Sequence, residues 1–147
     1  MNTISFSTSL GWITVSEENN QIASIEFGKK KNKGKSIVLT KLKKQIIEFT
    51  RGKRKKFSTK LKIEGTPLQK KIWHQLSLIK YGHTKTYGDI AKTLKTSPRY
   101  VGNVCGQNNH LLIVPCHRVV RSDGSLGGFS GLGGIKLKMK LLNLERK

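Results

Sequence analysis

The chain has 147 residues, of which 35% are hydrophobic, so it is long enough for one ordinary domain or two small ones. Its 29 lysines and arginines oppose eight acidic residues and give a formal net charge of +21, which favours a polyanionic partner over a surface made basic only for solubility. The N-terminal residues are not basic, so we expect no signal peptide, and no apolar run is long enough to cross a bilayer. Two cysteines are too few for a disulfide framework. Together these features predict a cytoplasmic protein.

The first part of the chain predicts a small antiparallel sheet followed by a helix. Two β-rich runs, residues 10–15 and 21–27, are joined through residues 17–20, which suits a hairpin. From Val38 onward apolar residues recur at helical spacing, and Gly52 marks the end of that helix.

Basic residues are concentrated in one stretch. Fifteen of the 29 lie between Lys29 and Lys62, and only Glu48 opposes them. Such a block is typical of a solvated face or a mobile loop and does not predict a sequence-specific DNA site. The segment 60–64 is typical of a linker, so we expect a first domain at residues 1–64 and a second at residues 65–147.

The second half predicts a series of helices. Thr66 followed by Pro67 is typical of a helix start, because a hydroxyl caps the helix and proline fits its first position. Two short helices are predicted over residues 86–94 and 97–106, separated by a brief turn. On a basic chain this pair indicates a helix-turn-helix, with an ordinary helical corner as the alternative.

The second of these short helices has an unusual surface. Gly102 and Gly106 lie one turn apart and weaken the helix, by about 1 kcal/mol each relative to alanine. A flat face of this kind would let the helix backbone approach the wall of a groove, with Arg99 at the helix start placed to reach the partner.

A cysteine followed by a histidine is the first candidate for chemistry. Residues 111–114 predict a strand that runs into Cys116 and His117. The thiolate is the reactive form of cysteine, and a nearby base generates it near neutral pH. Adjacent side chains on a strand point to opposite faces, so a bridging water is expected between them. An inert buried cysteine and a zinc site with Cys105 and His110 are the alternatives, but no Cys-x-x-Cys pair is present and we expect no metal.

The last predicted helix, residues 135–144, favours a reactive cysteine. Glu145 lies on the same helical side as Leu141 and Leu142, and a carboxylate turned toward a core needs a partner. His117 is the natural partner, and a relay from Glu145 through His117 and water would lower the pKa of the cysteine thiol. A carboxylate exposed near the chain end is the alternative.

The sequence PCHRV at residues 115–119, continued by GGFSG at residues 127–131, resembles the O6-alkylguanine-DNA alkyltransferases. The resemblance covers nearly the whole chain, and the other matching stretches are LGW at 10–12, IEFG at 25–28, GTPLQ at 65–69, IW at 72–73 and TYGDIA at 86–91. It implies an α/β fold in two parts. A small N-terminal antiparallel sheet plus helix, ribonuclease-H-like, is followed by a mostly helical winged helix-turn-helix domain.

The resemblance also implies a function, DNA repair by direct reversal of damage. A methyl or larger alkyl group would pass irreversibly from O6-alkylguanine in duplex DNA to Cys116, once per molecule and after base flipping, with activity on O4-alkylthymine left open. Cys116 matches the alkyl acceptor, activated through water by His117 with Glu145 at the end of the relay. Asn108 matches the asparagine that braces the bend behind the active site.

Further residues match the family's substrate site. Arg99 matches an arginine finger that enters the base stack, and Tyr87 a tyrosine that helps rotate the nucleotide and donates to the base. Ser130 matches the serine that hydrogen-bonds at O6, and Phe129 an aromatic residue of the pocket. Backbone groups at Val119 would read the guanine edge, and Gly102 would lie on a helix that enters the minor groove.

The implied partner is double-stranded DNA containing alkylated guanine, bound by a monomer without a cofactor, with cooperative binding left open. Two departures from the family pattern are Tyr100, where a small residue is usual, and Phe129, where many members have tyrosine. A third is a short, lysine-rich N-terminal half without the Cys/His set that binds zinc in some relatives, so the resemblance implies no metal here. Three other functions fit the sequence less well. A lesion-binding alkyltransferase-like protein would carry tryptophan in place of Cys116, a winged-helix regulator would dimerise on a palindrome, and a cysteine hydrolase would leave the charge unexplained.

Overall fold

A computed structural model describes residues 1–128 and 134–146 and shows a mixed α/β protein in two compact units. The first unit holds residues 1–63 together with residues 109–111, and the second holds residues 64–108 and the chain from residue 112 onward. Within the described ranges, no helix has the length and apolar character needed to cross a membrane. Phe129 and Ser130 lie outside the described residues.

The first unit is a three-stranded antiparallel sheet covered by one helix. Its strands are β1 (Asn2–Thr8), β2 (Gly11–Glu18) and β3 (Gln21–Phe27), in the order β1-β2-β3. Helix α1 (Ile37–Thr50) begins after Ser36, whose hydroxyl accepts from the Leu39 amide. The helix packs against β1 and β2, and the core of the unit contains apolar side chains from all four elements. These side chains are Phe6, Ile13, Val15, Ile22, Ile25, Leu39, Leu42, Ile46 and Phe49.

Two asparagines form the turn of the hairpin between β2 and β3. Asn19 and Asn20 both have positive φ, 53° and 65°, and the flanking Glu18 and Gln21 are paired. This is the geometry of a type I′ turn, in which asparagine and glycine are favoured. The sequence predicted Glu17 and Glu18 in the connection, whereas both belong to β2. The Glu17 side chain is buried. Its carboxylate accepts a hydrogen bond from Asn2 Nδ2 at 2.6 Å and another from the Asn20 amide at 3.0 Å.

Segments distant in the chain extend this sheet. The Ile22 amide donates to the Lys60 carbonyl at 2.8 Å. Part of the segment that was predicted to be a linker therefore lies along the edge of β3. Farther along the same strand, the Ile25 amide donates to the Asn109 carbonyl at 2.8 Å. A ring nitrogen of buried His110 lies 2.8 Å from the Ile22 carbonyl.

The second unit is mainly helical. Its elements are helices α2 (Pro67–Ser77), α3 (Tyr87–Leu94), α4 (Pro98–Gly106) and α5 (Gly134–Glu145), strands β4 (Lys85–Thr86) and β5 (Val119–Val120), and a 3₁₀ turn (Cys116–Arg118). The cap predicted at Thr66 is present, and Thr86 and Ser97 likewise each accept a backbone amide of the helix that follows. A left-handed residue, Lys95, closes α3 before α4 begins, and β4 pairs in parallel with β5.

The prediction of a strand at residues 111–114 is wrong, because these residues form a buried turn. Leu112 has a φ of 76°, a left-handed conformation that no strand contains. The Asn108 side chain spans the turn, since its Nδ2 donates to the Val114 carbonyl at 2.7 Å. Cys116 and His117 consequently lie on a 3₁₀ turn and not on an extended strand, which removes the expectation that their side chains point to opposite faces. A short buried apolar run has no periodicity that separates a strand from a turn.

The hairpin provides a test of the role of backbone conformation in the first unit. Asn20→Gly should raise the free energy of unfolding by about 0.5 kcal/mol, because glycine adopts positive φ without a steric cost. Asn20→Ala should lower it by about 1 kcal/mol, because the methyl group of alanine lacks the local hydrogen bonding by which a short polar side chain makes this conformation accessible. Urea denaturation followed by circular dichroism measures both, and equal midpoints for the two variants would contradict the proposed turn geometry.

Candidate active site

Cys116 lies in the wall of a cavity of about 720 Å³ in the second unit. The thiol is nearly inaccessible, with 4% of the residue exposed. The cavity has a size typical of small-ligand sites. Its walls come from α3, α4 and the segment after β5, and include Tyr87, Gly88, Pro98, Arg99, Gly102, Cys105, Gly106, Arg121, Ser122, Asp123, Gly127 and Gly128.

Behind the cysteine, a histidine and a carboxylate are in direct contact. Nε2 of His117 lies 2.7 Å from Oε2 of Glu145, and both side chains have only 1% of their surface exposed. The 3₁₀ turn supplies the histidine and the last residue of α5 supplies the carboxylate. The pairing expected from the position of Glu145 on the apolar side of its helix is therefore present in the structure.

Arg118 is a second partner of this carboxylate, and no role was predicted for it from the sequence. Its Nε donates to Oε1 of Glu145 at 2.8 Å and its NH2 group to Oε2 at 2.9 Å, a bidentate ion pair. Its NH1 group donates to the Ile79 carbonyl at 2.8 Å, and the Gly82 amide approaches Oε1 of Glu145 at 3.4 Å. Both carboxylate oxygens are thus occupied, which makes the buried charge tolerable.

The protonation of the pair follows from these contacts. Burial raises the pKa of Glu145, but the hydrogen bonds from His117 and Arg118 outweigh it and lower that pKa to about 2. Burial lowers the pKa of His117, although the bond to Glu145 opposes this, so the ring is neutral near pH 7. An ionised carboxylate can only accept, hence the single ring proton is on Nε2 and Nδ1 carries a lone pair. Among the described residues Nδ1 has no hydrogen-bond partner.

The Cys116 thiol is subject to opposing influences. Burial raises its pKa above the ordinary value, and a hydrogen bond from the Asn108 side chain and the positive charge of Lys138 only partly oppose this. Asn108 thus contacts both the thiol and the turn before it. Four of the predicted residues are thus paired in the structure, Asn108 with Cys116 and His117 with Glu145.

Lys138 is a buried cation that the sequence did not predict as part of the site. The residue is 0% exposed, and its ammonium donates to the Val119 carbonyl at 2.6 Å and to the Gly128 carbonyl at 3.2 Å. It also donates to the Leu126 carbonyl and, at 3.3 Å, to the Tyr87 hydroxyl. One ammonium therefore holds the segment after β5 and a wall residue of the cavity in place.

Tyr87, at the start of α3, is close to two glycines. A Cβ added to Gly127 would lie 2.9 Å from the Tyr87 hydroxyl oxygen, and the φ of Gly127 is +72°, so this position requires glycine. A Cβ on Gly102 would lie 3.9 Å from the Tyr87 ring, in ordinary contact, so the space does not require glycine there. Burial, followed by the nearby thiols of Cys105 and Cys116, raises the pKa of Tyr87 to about 12.

The remaining predicted residues have different surroundings. Arg99 is exposed in the first turn of α4 and lines the cavity, as does Arg121, which the sequence did not predict. Val119 is fully buried, and its carbonyl already accepts from Lys138. Within the described ranges, no three potential metal ligands of the His, Cys, Asp or Glu type are grouped.

The fold and the cavity define a mixed α/β protein with a buried cysteine beside a histidine–carboxylate pair. Residues 67–147 match the family model of the 6-O-methylguanine DNA methyltransferase DNA-binding domain. The chain therefore belongs to the methylated-DNA–protein-cysteine methyltransferase family, whose members repair DNA by alkyl transfer.

Relatives and solved structures agree with this assignment. The chain is 36% identical to the inducible methylated-DNA–protein-cysteine methyltransferase of Bacillus subtilis, over 96% of this chain and 82% of that protein. It is 37% identical to the corresponding protein of Sulfolobus acidocaldarius, over 95% of this chain and 90% of that one. The structure is similar to that of Mycobacterium tuberculosis OGT in complex with DNA, with a TM-score of 0.88 and 29% identity over 98% of this chain and 92% of that chain.

The buried carboxylate predicts a strong dependence of stability on residue 145. Glu145→Gln should lower the free energy of unfolding by about 3 kcal/mol, because it leaves the Arg118 charge buried and unpaired. Glu26→Gln, which removes a surface ion pair with Lys30, should cost less than about 1 kcal/mol and serves as the control. Equal losses in the two variants, measured by urea denaturation, would contradict the assigned role of the buried pair.

The same carboxylate predicts how stability changes with pH. The pKa of Glu145 is about 2 in the folded chain against an ordinary value of 4.5. The stabilisation is therefore complete above about pH 4.5 and is lost as the pH falls toward 2, because the unfolded chain takes up the proton first. Thermal denaturation across this range should show a shallower decline in Glu145→Gln than in the unaltered protein.

The positive charge of Lys138 should have a measurable effect on the pKa of the Cys116 thiol. In a Cys105→Ser background, Lys138→Met should move the midpoint of Cys116 alkylation by iodoacetamide to higher pH, because a cation near the thiolate is lost. Lys136→Met, an exposed position on the same helix, is the matched control and should leave the midpoint where it was. A Lys138→Met variant that stays folded and keeps the original midpoint would remove Lys138 from the activation of Cys116.

Proposed function

We propose that the protein repairs O6-alkylguanine in double-stranded DNA by moving the alkyl group to Sγ of Cys116, once per molecule. The observation that carries this proposal is the position of the thiol, in the wall of a cavity and backed by the His117–Glu145 pair. Membership of the methyltransferase family and the similarity to a structure solved with DNA support the same assignment.

The first chemical step is removal of the thiol proton. The unprotonated Nδ1 of His117 accepts this proton through a bridging water, and the Glu145 carboxylate stabilises the resulting imidazolium through Nε2–H. The Asn108 amide and the Lys138 ammonium favour the thiolate that remains. These groups oppose the rise in the thiol pKa that burial causes, although the pKa stays above its ordinary value.

The transfer itself forms one bond and breaks another. The sulfur bonds to the alkyl carbon while the bond from that carbon to O6 breaks, and its electron pair stays on the guanine, which recovers one proton from solvent. Tyr87 retains its own proton at neutral pH because its pKa is about 12, so it can donate a hydrogen bond to the departing base. The product is a thioether at Cys116, which has no good leaving group, so each molecule acts once.

Access to the lesion requires the nucleotide to leave the duplex. Because the O6 substituent is not accessible to a buried thiol inside a base stack, the base must be flipped out, at a cost of a few kcal/mol. We assign the second unit as a winged helix-turn-helix built on α3 and α4, with Arg99 filling the vacated stack and the glycine face of α4 in the minor groove. Ser130 and Phe129 remain predictions for the contacts at O6 and in the pocket, and Val119 for reading the guanine edge.

We propose a ribonuclease-H-like fold for the first unit, which its antiparallel sheet and packed helix support. We propose that the protein acts on DNA as a monomer.

The decisive test is the mass of the intact protein after incubation with a duplex that contains one O6-methylguanine. The unaltered protein should gain the mass of one CH₂ group, on a peptide that contains Cys116, and the reaction should stop at one group per molecule. Cys116→Ser should gain nothing. Cys105→Ser, which removes the other cysteine in the cavity wall, is the matched control and should react like the unaltered protein.

Different outcomes would change the assignment of the site. Tight binding of the damaged duplex without a mass change would indicate a lesion-binding protein. Neither transfer nor preference for damage would favour a regulator, whose binding would depend on a palindromic sequence. Alkylation of Cys105 in place of Cys116 would contradict the choice of Cys116 as the acceptor.

A further inference from the structure

A group of basic side chains on and after α1 has no role in the chemistry of the second unit. We propose that this group is a second DNA-binding surface, which contacts phosphates of the duplex that the protein repairs. We call it the α1 basic surface and define it by Lys41, Lys44, Arg51, Lys53 and Lys56, all of which are exposed.

Helical geometry aligns the first three of these residues. Lys41, Lys44 and Arg51 are three and seven positions apart, so they lie along one side of α1 and its C-terminal cap. The opposite side of the helix carries Leu42, Ile46 and other buried residues of the core. The charged side chains therefore extend into solvent along a line of about 15 Å, given 1.5 Å of rise per residue.

The acidic residues of the first unit do not neutralise this surface. Residues 1–63 contain fifteen basic and only four acidic side chains. Each of the four carboxylates has a partner outside this surface. The pairs are Glu17 with Asn2, Glu18 with Lys62, Glu26 with Lys30, and Glu48 with Arg54. Among the described residues, no member of the α1 basic surface has a carboxylate within 4.0 Å.

Repulsion among unpaired cations costs stability, and a polyanion relieves it. Neutralising phosphates with these side chains releases condensed counterions, which is favourable and independent of base sequence. The chain already binds DNA through the family's DNA-binding domain at residues 67–147. A surface in the same chain is therefore held at a high effective concentration relative to that duplex, so that weak phosphate contacts suffice to add affinity. This proposal rests on DNA binding and not on the transfer of an alkyl group.

The test compares two variants with the same loss of charge. In the first, Lys41, Lys44, Lys53 and Lys56 are replaced by glutamine. In the control, glutamine replaces Lys29, Lys31, Lys33 and Lys60, which are equally exposed and border the outer strands of the sheet. Affinity for an undamaged 30-bp duplex (about three helical turns) is measured by fluorescence anisotropy over a range of salt concentrations. Both variants should unfold at or slightly above the denaturation midpoint of the unaltered protein, because each loses the same amount of like-charge repulsion.

The expected result is a smaller salt dependence in the first variant alone. The slope of log K against log salt should decrease in magnitude by about 2 to 4, since each lost phosphate contact contributes about 0.9. The control should change the slope by less than about 1. Equal changes in both variants would overturn the proposal in favour of a diffuse charge effect, and an unchanged slope in the first variant would overturn it outright.

Two further measurements distinguish a DNA-binding surface from a catalytic defect and from a membrane-binding surface. Methyl transfer at low salt with saturating damaged duplex should be as complete in the first variant as in the unaltered protein, so failure of repair and failure of the surface are distinguishable. If the first variant keeps its DNA slope and instead loses binding to anionic phospholipid vesicles, the surface serves a membrane and the DNA proposal is wrong.

Discussion

The organisation of the active site depends on one buried carboxylate. Glu145 places a full negative charge where almost no solvent reaches it, and the surrounding structure supplies the compensation. Arg118 neutralises the charge through two hydrogen bonds, and a third hydrogen bond to the same carboxylate fixes the ring of His117. Because the carboxylate only accepts, it also determines which ring nitrogen carries the proton and which keeps its lone pair. Stability and chemistry therefore rest on the same ion pair.

Charge is distributed differently in the two units. In the second unit the buried charges have specific partners, as the four acceptors around Lys138 illustrate. In the first unit most of the positive charge faces solvent. This difference suits a protein that must find DNA of any sequence and then react at a single atom. Solvent-facing cations give affinity for phosphates wherever they occur, whereas fixed charges in a closed site act on one group.

Much of the local structure could be predicted because it is specified by neighbouring residues. Thr66 with Pro67 and Ser97 with Pro98 are complete helix starts in themselves, and the structure contains both. The direction of Glu145 followed from helical periodicity alone. The same reasoning applied seven residues earlier would have found Lys138, which shares the buried side of α5.

The parts that could not be predicted depend on contacts distant in sequence. The turn around Leu112 is stabilised by the Asn108 side chain, and an apolar run gives no sign of such a contact. Strand β1 was not predicted at all, although it pairs along its whole length with β2. The sequence does not distinguish Arg118 from the other basic residues of the chain. Its role as the partner of Glu145 is evident only in the structure, where α5 places that carboxylate beside it. The resemblance to a known family predicts which cysteine reacts, but it did not supply these local geometries.

The division of the chain between its units has a consequence for its synthesis. Strands β1 to β3 and α1 leave the ribosome first, yet the main-chain groups of Ile25 that bond to Asn109 and Leu111 have no partner at that stage. That edge of the sheet is completed only after helices α2, α3 and α4 have been translated. The first unit is thus the earlier to begin folding but cannot finish as an independent domain, and its last strand contacts are formed by residues that directly precede the reactive turn.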